Sequence, residues 1–187
     1  SLRPVSVPDL YVSVVVTAHD RRRYLPEALR SLERQTLDKE KFEVIVVKNF
    51  EDPISDDIIR RNGWKDIVTD VIPVGDKLVI GMEESRGEII TFLEDDDMYV
   101  PERLQVVKKL FEEVRDLVYF HNAQVVVDEE GRVVGANGAG HDLLVDDPAM
   151  HCRELFVDPG GFHNASSIAV SSALAGRLAG ALAGVGG

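Results

Sequence analysis

The chain has 187 residues, 44% of them hydrophobic and 29% charged, which suits one sizeable core and is too short for two ordinary domains. With 21 Lys and Arg against 33 Asp and Glu the net charge is −12, a poor match for a nucleic-acid backbone or an anionic membrane surface. The single cysteine, Cys152, leaves no disulfide framework or Cys-rich zinc site within the chain and suits a reducing compartment.

Residues 1–4 carry no apolar h-region, so the start does not read as a signal peptide. Tyr11 to Thr17, rich in β-branched residues, predicts a buried strand. Asp20 is placed to cap the helix that follows, with Pro26 in its first turn and Leu25, Ala28, Leu29 and Leu32 on one face. Phe42 to Val47 predicts a second buried strand, and Ile54 to Arg61 a short helix stopped by Asn62-Gly63. Ile67 to Ile72 reads as a third strand, and Lys77 to Ser85 as a helix with Gly87 as its stop. Glu88 to Leu93 is a fourth strand running into Glu94-Asp95-Asp96-Asp97. Pro101 opens a helix with Leu104, Val107, Leu110 and Phe111 along one side.

Beyond Asp116 the pattern changes. Leu117 to Phe120 and Ala123 to Val127 are strand-like, and Asp128 to Gly131 turns the chain back through Arg132 to Val134 as a hairpin. Gly135 to Gly140 reads as a loop, and ten of the 15 glycines lie at or beyond Gly135, so this third is expected to be less regular. Ile168 to Ser171 reads as a strand. Leu174, Leu178, Leu182 and Val185 form an apolar helical stripe, too interrupted by Gly176, Arg177 and Gly180 for a membrane span. Strands alternating with helices predict an α/β fold with a mainly parallel sheet flanked by helices, and a smaller mixed hairpin region after it. Such sheets bind ligands outside the carboxyl ends of their strands, which points to Thr17-Ala18-His19, Lys48-Asn49 and Glu94 to Asp97.

Four consecutive acids after an apolar strand repel one another, and helix capping needs only one. A hard divalent cation, Mn²⁺ or Mg²⁺, gives them a purpose, because such ions take carboxylate oxygens together with substrate phosphates. The segment Gly87 to Leu104 resembles the acidic metal-binding motif of family 2 glycosyltransferases. The opening Val12 to Arg21, with Leu25, Ala28, Leu29, Ser31, Leu32 and Gln35, is similar to that family's first strand and helix. Phe42 to Val47 resembles its second strand, and Phe162 to Val170 its acceptor-side segment.

The resemblance implies a GT-A-type, Rossmann-like fold as one domain over residues 1–187, with a nucleotide-sugar-binding half at 1–100 and an acceptor-side half at 101–187. It implies metal-dependent, inverting transfer of a sugar from a nucleotide-diphosphate donor to a carbohydrate or lipid-linked acceptor hydroxyl. By position Asp96 matches the main metal-contacting acid, with Glu94 and Asp97 beside it and Asp95 near the donor sugar and ribose. Thr17, Ala18 and His19 would line the nucleoside, Asn49 could pair with a base edge, and Lys77 lies where the family often carries a cation near the diphosphate. The location expected is cytoplasmic, free or peripheral to a membrane, without a transmembrane span in this chain.

Two departures stand out. The family's second strand usually ends in two aspartates, whereas Lys48-Asn49 stands here, and Lys48 cannot accept a hydrogen bond. The family's general base comes late in an acidic motif, whereas the last acid here is Asp158. Asp142, Asp146, Asp147 and Asp158 are the weak candidates for that role. The chain is therefore expected to stop short of its base, and the alternative function is a non-catalytic nucleotide-sugar-binding module. A dinucleotide-binding dehydrogenase is disfavoured because Ala18-His19-Asp20-Arg21 has no glycine.

Overall fold

The structure is a computed structural model that describes residues 9–137 and 164–182. Among the described residues eight strands are formed: β1 (Val12–Ala18), β2 (Phe42–Lys48), β3 (Lys65–Val68), β4 (Ile89–Glu94), β5 (Tyr119–His121), β6 (Gln124–Val127), β7 (Val133–Asn137) and β8 (Ile168–Ser171). Five α-helices accompany them in the described residues: α1 (Leu25–Glu33), α2 (Pro53–Arg61), α3 (Val74–Glu83), α4 (Arg103–Glu113) and α5 (Ser172–Leu182). Six strands make one sheet in the order β3-β2-β1-β4-β8-β5, and β6 pairs with β7 in a separate hairpin sheet. β1 pairs in parallel with β2 and β4, and β2 with β3. β8 runs against both its neighbours, so the sheet is mainly parallel, as the alternating pattern predicts.

Every residue of β1 is buried because helices cover both faces of the sheet, which is why its sequence is a continuous apolar run. On one face Val12, Val14, Val16 and Ala18 pack with Leu25, Leu29 and Leu32 of α1, Ile58 and Ile59 of α2, and Leu104 and Val107 of α4. On the other, Val15, Ile90, Phe92 and Val170 pack with Met82 of α3 and with Ala175 and Ala179 of α5. A Cβ at Gly81 of α3 would lie 2.2 Å from a methyl of Val15, so only glycine lets that helix come this close to β1.

The structure corrects several boundaries. Asp20 does not cap α1: the N-cap is Tyr24, with no side-chain hydrogen bond, and Pro26 supports the first turn as expected. Asp20 sits instead in the left-handed region, at φ 57°, which short polar side chains tolerate. β3 occupies Lys65–Val68 rather than Ile67 to Ile72, since its partners on β2 are Ile45 to Lys48. α3 begins at Val74, because Pro73 is extended and takes the N-cap position. It ends at Glu83, and Gly87 is no helix stop: a Cβ there would lie 2.7 Å from the Ser13 nitrogen and the Tyr11 carbonyl oxygen. Gly135 to Asn137 belong to β7, held by pairing with Gln124 to Val126. The buried face of α5 is Ala175 and Ala179, with Leu174 of the expected stripe packed beside them and Leu178 exposed. Small residues suit the approach of α5 to α3 and the sheet. Val185 and residues 138–163 lie outside the described residues. Among the described residues no helix is long and apolar enough to cross a membrane.

Candidate active site

β1 and β4 release the chain side by side, with Thr17 opposite Glu94 in register. In the order β3-β2-β1-β4 the connections diverge at β1, the switch point where doubly wound sheets open a crevice. A small cleft of about 20 Å³ opens there. It is lined by Thr17, Ala18 and His19 at the end of β1, Val74 and Lys77 from α3, and Arg21, Glu94 and Asp95.

Within the acidic run the four carboxylates have different surroundings. Asp95 is buried, and its Oδ2 accepts the His19 backbone N–H at 3.1 Å. Its Oδ1 is buried without an aligned hydrogen bond and lies 3.0 Å from Arg21 Nη2. The other guanidinium nitrogen of Arg21, Nη1, pairs with Asp96 Oδ2. Asp97 turns away and accepts from the Asn164 amide, whose oxygen accepts from Gln124. The Glu94 backbone N–H donates to Ser166 Oγ at 2.9 Å. Burial, then the charges of Asp97 and Asp96, pushes the Glu94 carboxyl above its ordinary range. Burial also pushes Asp95 upward, against the His19 N–H and the Arg21 charge.

Lys77 is fully buried. Its Nζ donates to the Ala18 carbonyl oxygen at 2.9 Å and meets His19 Nδ1 at 2.9 Å. An ammonium has donors only, so His19 Nδ1 is the acceptor. Burial lowers the Lys77 pKa, and the carboxylates of Asp20 and Asp95 oppose that shift. The result is a cation fixed against the wall of the cleft by β1's own last carbonyl.

α1 holds the chain that follows the acids. The Tyr99 N–H donates to Ser31 Oγ at 3.1 Å, Gln35 Nε2 donates to the Val100 carbonyl at 2.9 Å, and the Leu104 N–H donates to Gln35 Oε1 at 3.0 Å. Below the loop the Thr91 hydroxyl meets the Tyr99 hydroxyl at 2.9 Å, and the buried Arg103 guanidinium lies 4.8 Å from the Tyr99 ring. The acidic turn is thus gripped from α1 and β4 before any ligand is considered.

The structure brings Thr17, Ala18, His19, Lys77, Glu94, Asp95 and Asp96 together at one mouth. Asn49 is nearby but occupied: its amide donates to Asp20 Oδ1 at 2.9 Å and its oxygen accepts the Asp20 N–H at 3.0 Å. Lys48 is buried among Asp66 and Asp56, at 2.6 and 3.2 Å. Asp142, Asp146, Asp147 and Asp158 lie outside the described residues. Sequence reasoning missed Arg21 and Asn164 as partners of the acids. Their only signal was membership of the segments that carried the family resemblance.

Among the described residues no three His, Cys, Asp or Glu side chains form a cage for a metal ion. Mn²⁺ and Mg²⁺ do not need one, because they take one or two carboxylates and complete their shell with water and phosphate. Asp96 and the under-bonded Asp95 Oδ1, with Glu94 beside them, are a donor set of that kind.

The profile of glycosyl transferase family 2 matches residues 13–139. An uncharacterized glycosyltransferase of Haemophilus influenzae is 26% identical over 126 residues, covering 64% of this chain and 41% of that protein. The chain therefore spans about two fifths of that relative's length. The crystal structure of S. aureus TarS 1–349 with UDP-GlcNAc superposes with a TM-score of 0.60 at 20% identity, over 89% of this chain and 47% of that one. The mannosyltransferase PcManGT from Pyrobaculum calidifontis, in complex with GDP-Man and Mn²⁺, superposes with a TM-score of 0.58 at 17% identity, over 95% and 50%. At these identities the likeness is one of fold, the GT-A arrangement.

Proposed function

This chain belongs to glycosyl transferase family 2, and from that premise we propose that it binds a nucleoside-diphosphate sugar at the mouth between β1 and β4 and passes the sugar to an acceptor hydroxyl with inversion. Thr17, Ala18 and His19 take the nucleoside, and the fixed Lys77 faces the diphosphate. Asp96, with Glu94 or Asp95, holds Mn²⁺ or Mg²⁺. The observation that carries this reading is the convergence of the acidic turn, the buried lysine and the end of β1 on one cleft. The nucleotide-sugar and Mn²⁺ complexes of the structural neighbours support it.

In the reaction the acceptor oxygen bonds to the anomeric carbon, and the bond from that carbon to the diphosphate oxygen breaks. The diphosphate leaves with the electron pair, and the hydroxyl proton passes to a general base. A divalent cation bound at the acids supplies Lewis-acid stabilisation of the charge on the leaving diphosphate. Lys77 adds a pre-oriented positive charge, whose value is greatest where water is excluded. Asp95 receives the His19 N–H and so keeps the nucleoside wall in register with the acidic turn.

We read residues 1–100 as the donor half and 101–187 as the acceptor half of one domain, acting in the cytoplasm. Donor choice follows from β2: Lys48 faces its own carboxylates and Asn49 is engaged by Asp20, so no acidic pair is present there to select uracil. Nucleotide-sugars of the four common bases, with Mn²⁺ and assays of both transfer and hydrolysis, test the activity. Turnover of any one supports catalysis, binding without turnover makes the chain a donor-binding module, and no binding overturns the reading. Thermal shifts with UDP, GDP, ADP and dTDP test the base: a large shift with UDP alone would contradict relaxed selectivity.

A further inference from the structure

Arg21 lies in the middle of the proposed donor site, yet neither base nor sugar recognition needs it there. It is half-exposed, on the loop after β1, and its two terminal nitrogens reach two different carboxylates, Asp95 Oδ1 at 3.0 Å and Asp96 Oδ2. Asp95 is almost completely buried and accepts no aligned hydrogen bond at that oxygen, and among the described residues the guanidinium is the cation in direct ion-pair contact with it. The neighbouring arginines are committed elsewhere. Arg22 lies 4.7 Å from the Phe50 ring and donates to the Glu51 carbonyl, and Arg23 pairs with Glu129.

Asp95 and Asp96 without a cation would face each other as like charges next to the carboxylates of Glu94 and Asp97, so the ligand-free fold needs a positive charge at this spot. A guanidinium can supply it, and its planar fork suits two carboxylate oxygens as well as two phosphate oxygens. It cannot share Asp96 with a dication at the same oxygen.

We propose, on the donor-site reading above, that Arg21 is an exchangeable counter-ion. In the ligand-free protein it neutralises Asp95 and Asp96, and when a divalent cation and a nucleoside diphosphate arrive it gives up Asp96 and pairs with a phosphate oxygen. Two consequences of opposite sign follow. Without the arginine the dication meets no competitor, and the nucleoside diphosphate loses a partner. A residue that only held the loop in shape would weaken both.

The experiment compares the parent with Arg21→Gln, Asp96→Asn and, as a control of equal charge change, Arg22→Gln. Binding of Mn²⁺ alone is read from the spectrum of free Mn²⁺ by electron paramagnetic resonance. Binding of UDP and of GDP is read by calorimetry at saturating Mn²⁺. Arg21→Gln is expected to bind Mn²⁺ alone about fivefold more tightly and the better nucleotide about tenfold more weakly. Arg21→Lys should restore part of the nucleotide affinity, and Arg22→Gln should leave both constants in place. If Arg21→Gln leaves Mn²⁺ binding unchanged or weaker, or leaves nucleotide affinity intact, the exchange is refuted while the site stands. If Asp96→Asn also changes neither constant, or the parent binds neither nucleotide, it is the donor site itself that is wrong.

Discussion

The two ends of the parallel sheet use the same residue types to opposite effect. At the foot, where the strands begin, Glu43 of β2 is partly buried and fully engaged. Its Oε1 accepts the Ser13 hydroxyl and the Arg86 N–H, each at 2.7 Å, and its Oε2 accepts Arg86 Nε and Nη2 at 2.9 and 2.7 Å. Burial alone would raise its pKa, but these donors outweigh burial and hold the carboxyl below its ordinary range. At the mouth, Glu94 and Asp95 are raised by burial, and Glu94 further by its acidic neighbours. A carboxylate satisfied from within stabilises the fold. A carboxylate crowded among its own kind and short of donors is one the fold tolerates for another reason, which under the proposed function is the binding of a cation.

The sharpest way to break this comparison is at Asp96. Asp96→Asn removes a full charge from the mouth, and is expected to cost on the order of a hundredfold in transfer rate from a nucleotide-sugar with Mn²⁺, or in nucleoside-diphosphate affinity if the chain only binds. Its urea midpoint should barely move, because Asp96 is exposed. Gly87→Ala is the mirror image at the foot. The new methyl would press on the backbone of Tyr11 and Ser13, atoms that cannot step aside without disturbing β1. A loss of about 2–3 kcal/mol in urea unfolding is expected, with nucleotide affinity kept in whatever fraction remains folded.

Glu43→Gln is a milder change at the foot, about 1–2 kcal/mol at neutral pH, since hydrogen bonds to a charged group are replaced by neutral ones. The folded-state pKa of Glu43 lies below its ordinary value of 4.5, so its contribution is complete above that value and is lost as the pH falls through the lowered one. The gap between parent and variant should therefore close on acidification. A gap that widens in acid would show that Glu43 is not held as a carboxylate. The smallest effect expected is a gain: Glu94→Gln removes a half-buried charge from a crowded acidic turn and should stabilise the fold by about 0.5–1 kcal/mol at pH 7. Urea unfolding of that variant without metal measures it, and a loss there would mean that the mouth is as well satisfied as the foot.

How much of this was legible from residues alone differs between fold and site. The apolar runs of β1, β2 and β4 announced a buried parallel sheet because a strand covered on both faces has no polar alternation to hide. The edges were blurred. β3 starts two residues and ends four residues earlier than expected, and α3 starts three and ends two earlier, because an edge strand's extent is set by its neighbour, and Pro73, which blocks helix continuation, also starts one. In α5 the leucine periodicity was only partly followed: Leu174 packs on the core, but close packing against α3 buries Ala175 and Ala179 and leaves Leu178 exposed.

By itself the sequence determined the sheet's central strands, the acidic turn at the end of β4 and the family to which the chain belongs, because these depend on local patterning and on short contiguous motifs. Only the tertiary structure decided what each of the acids does. Asp95, Asp96 and Asp97 are consecutive in the chain, yet one is buried under the His19 N–H, one pairs at the surface with Arg21, and one is tied to Asn164, 67 residues further on. The same holds for Lys77, whose burial against Ala18 and His19 no helical pattern foretells. The physical reason is that a charge takes its character from burial and from the partners that surround it, and here those partners arrive from β1, α3 and the segment before β8, far away in sequence.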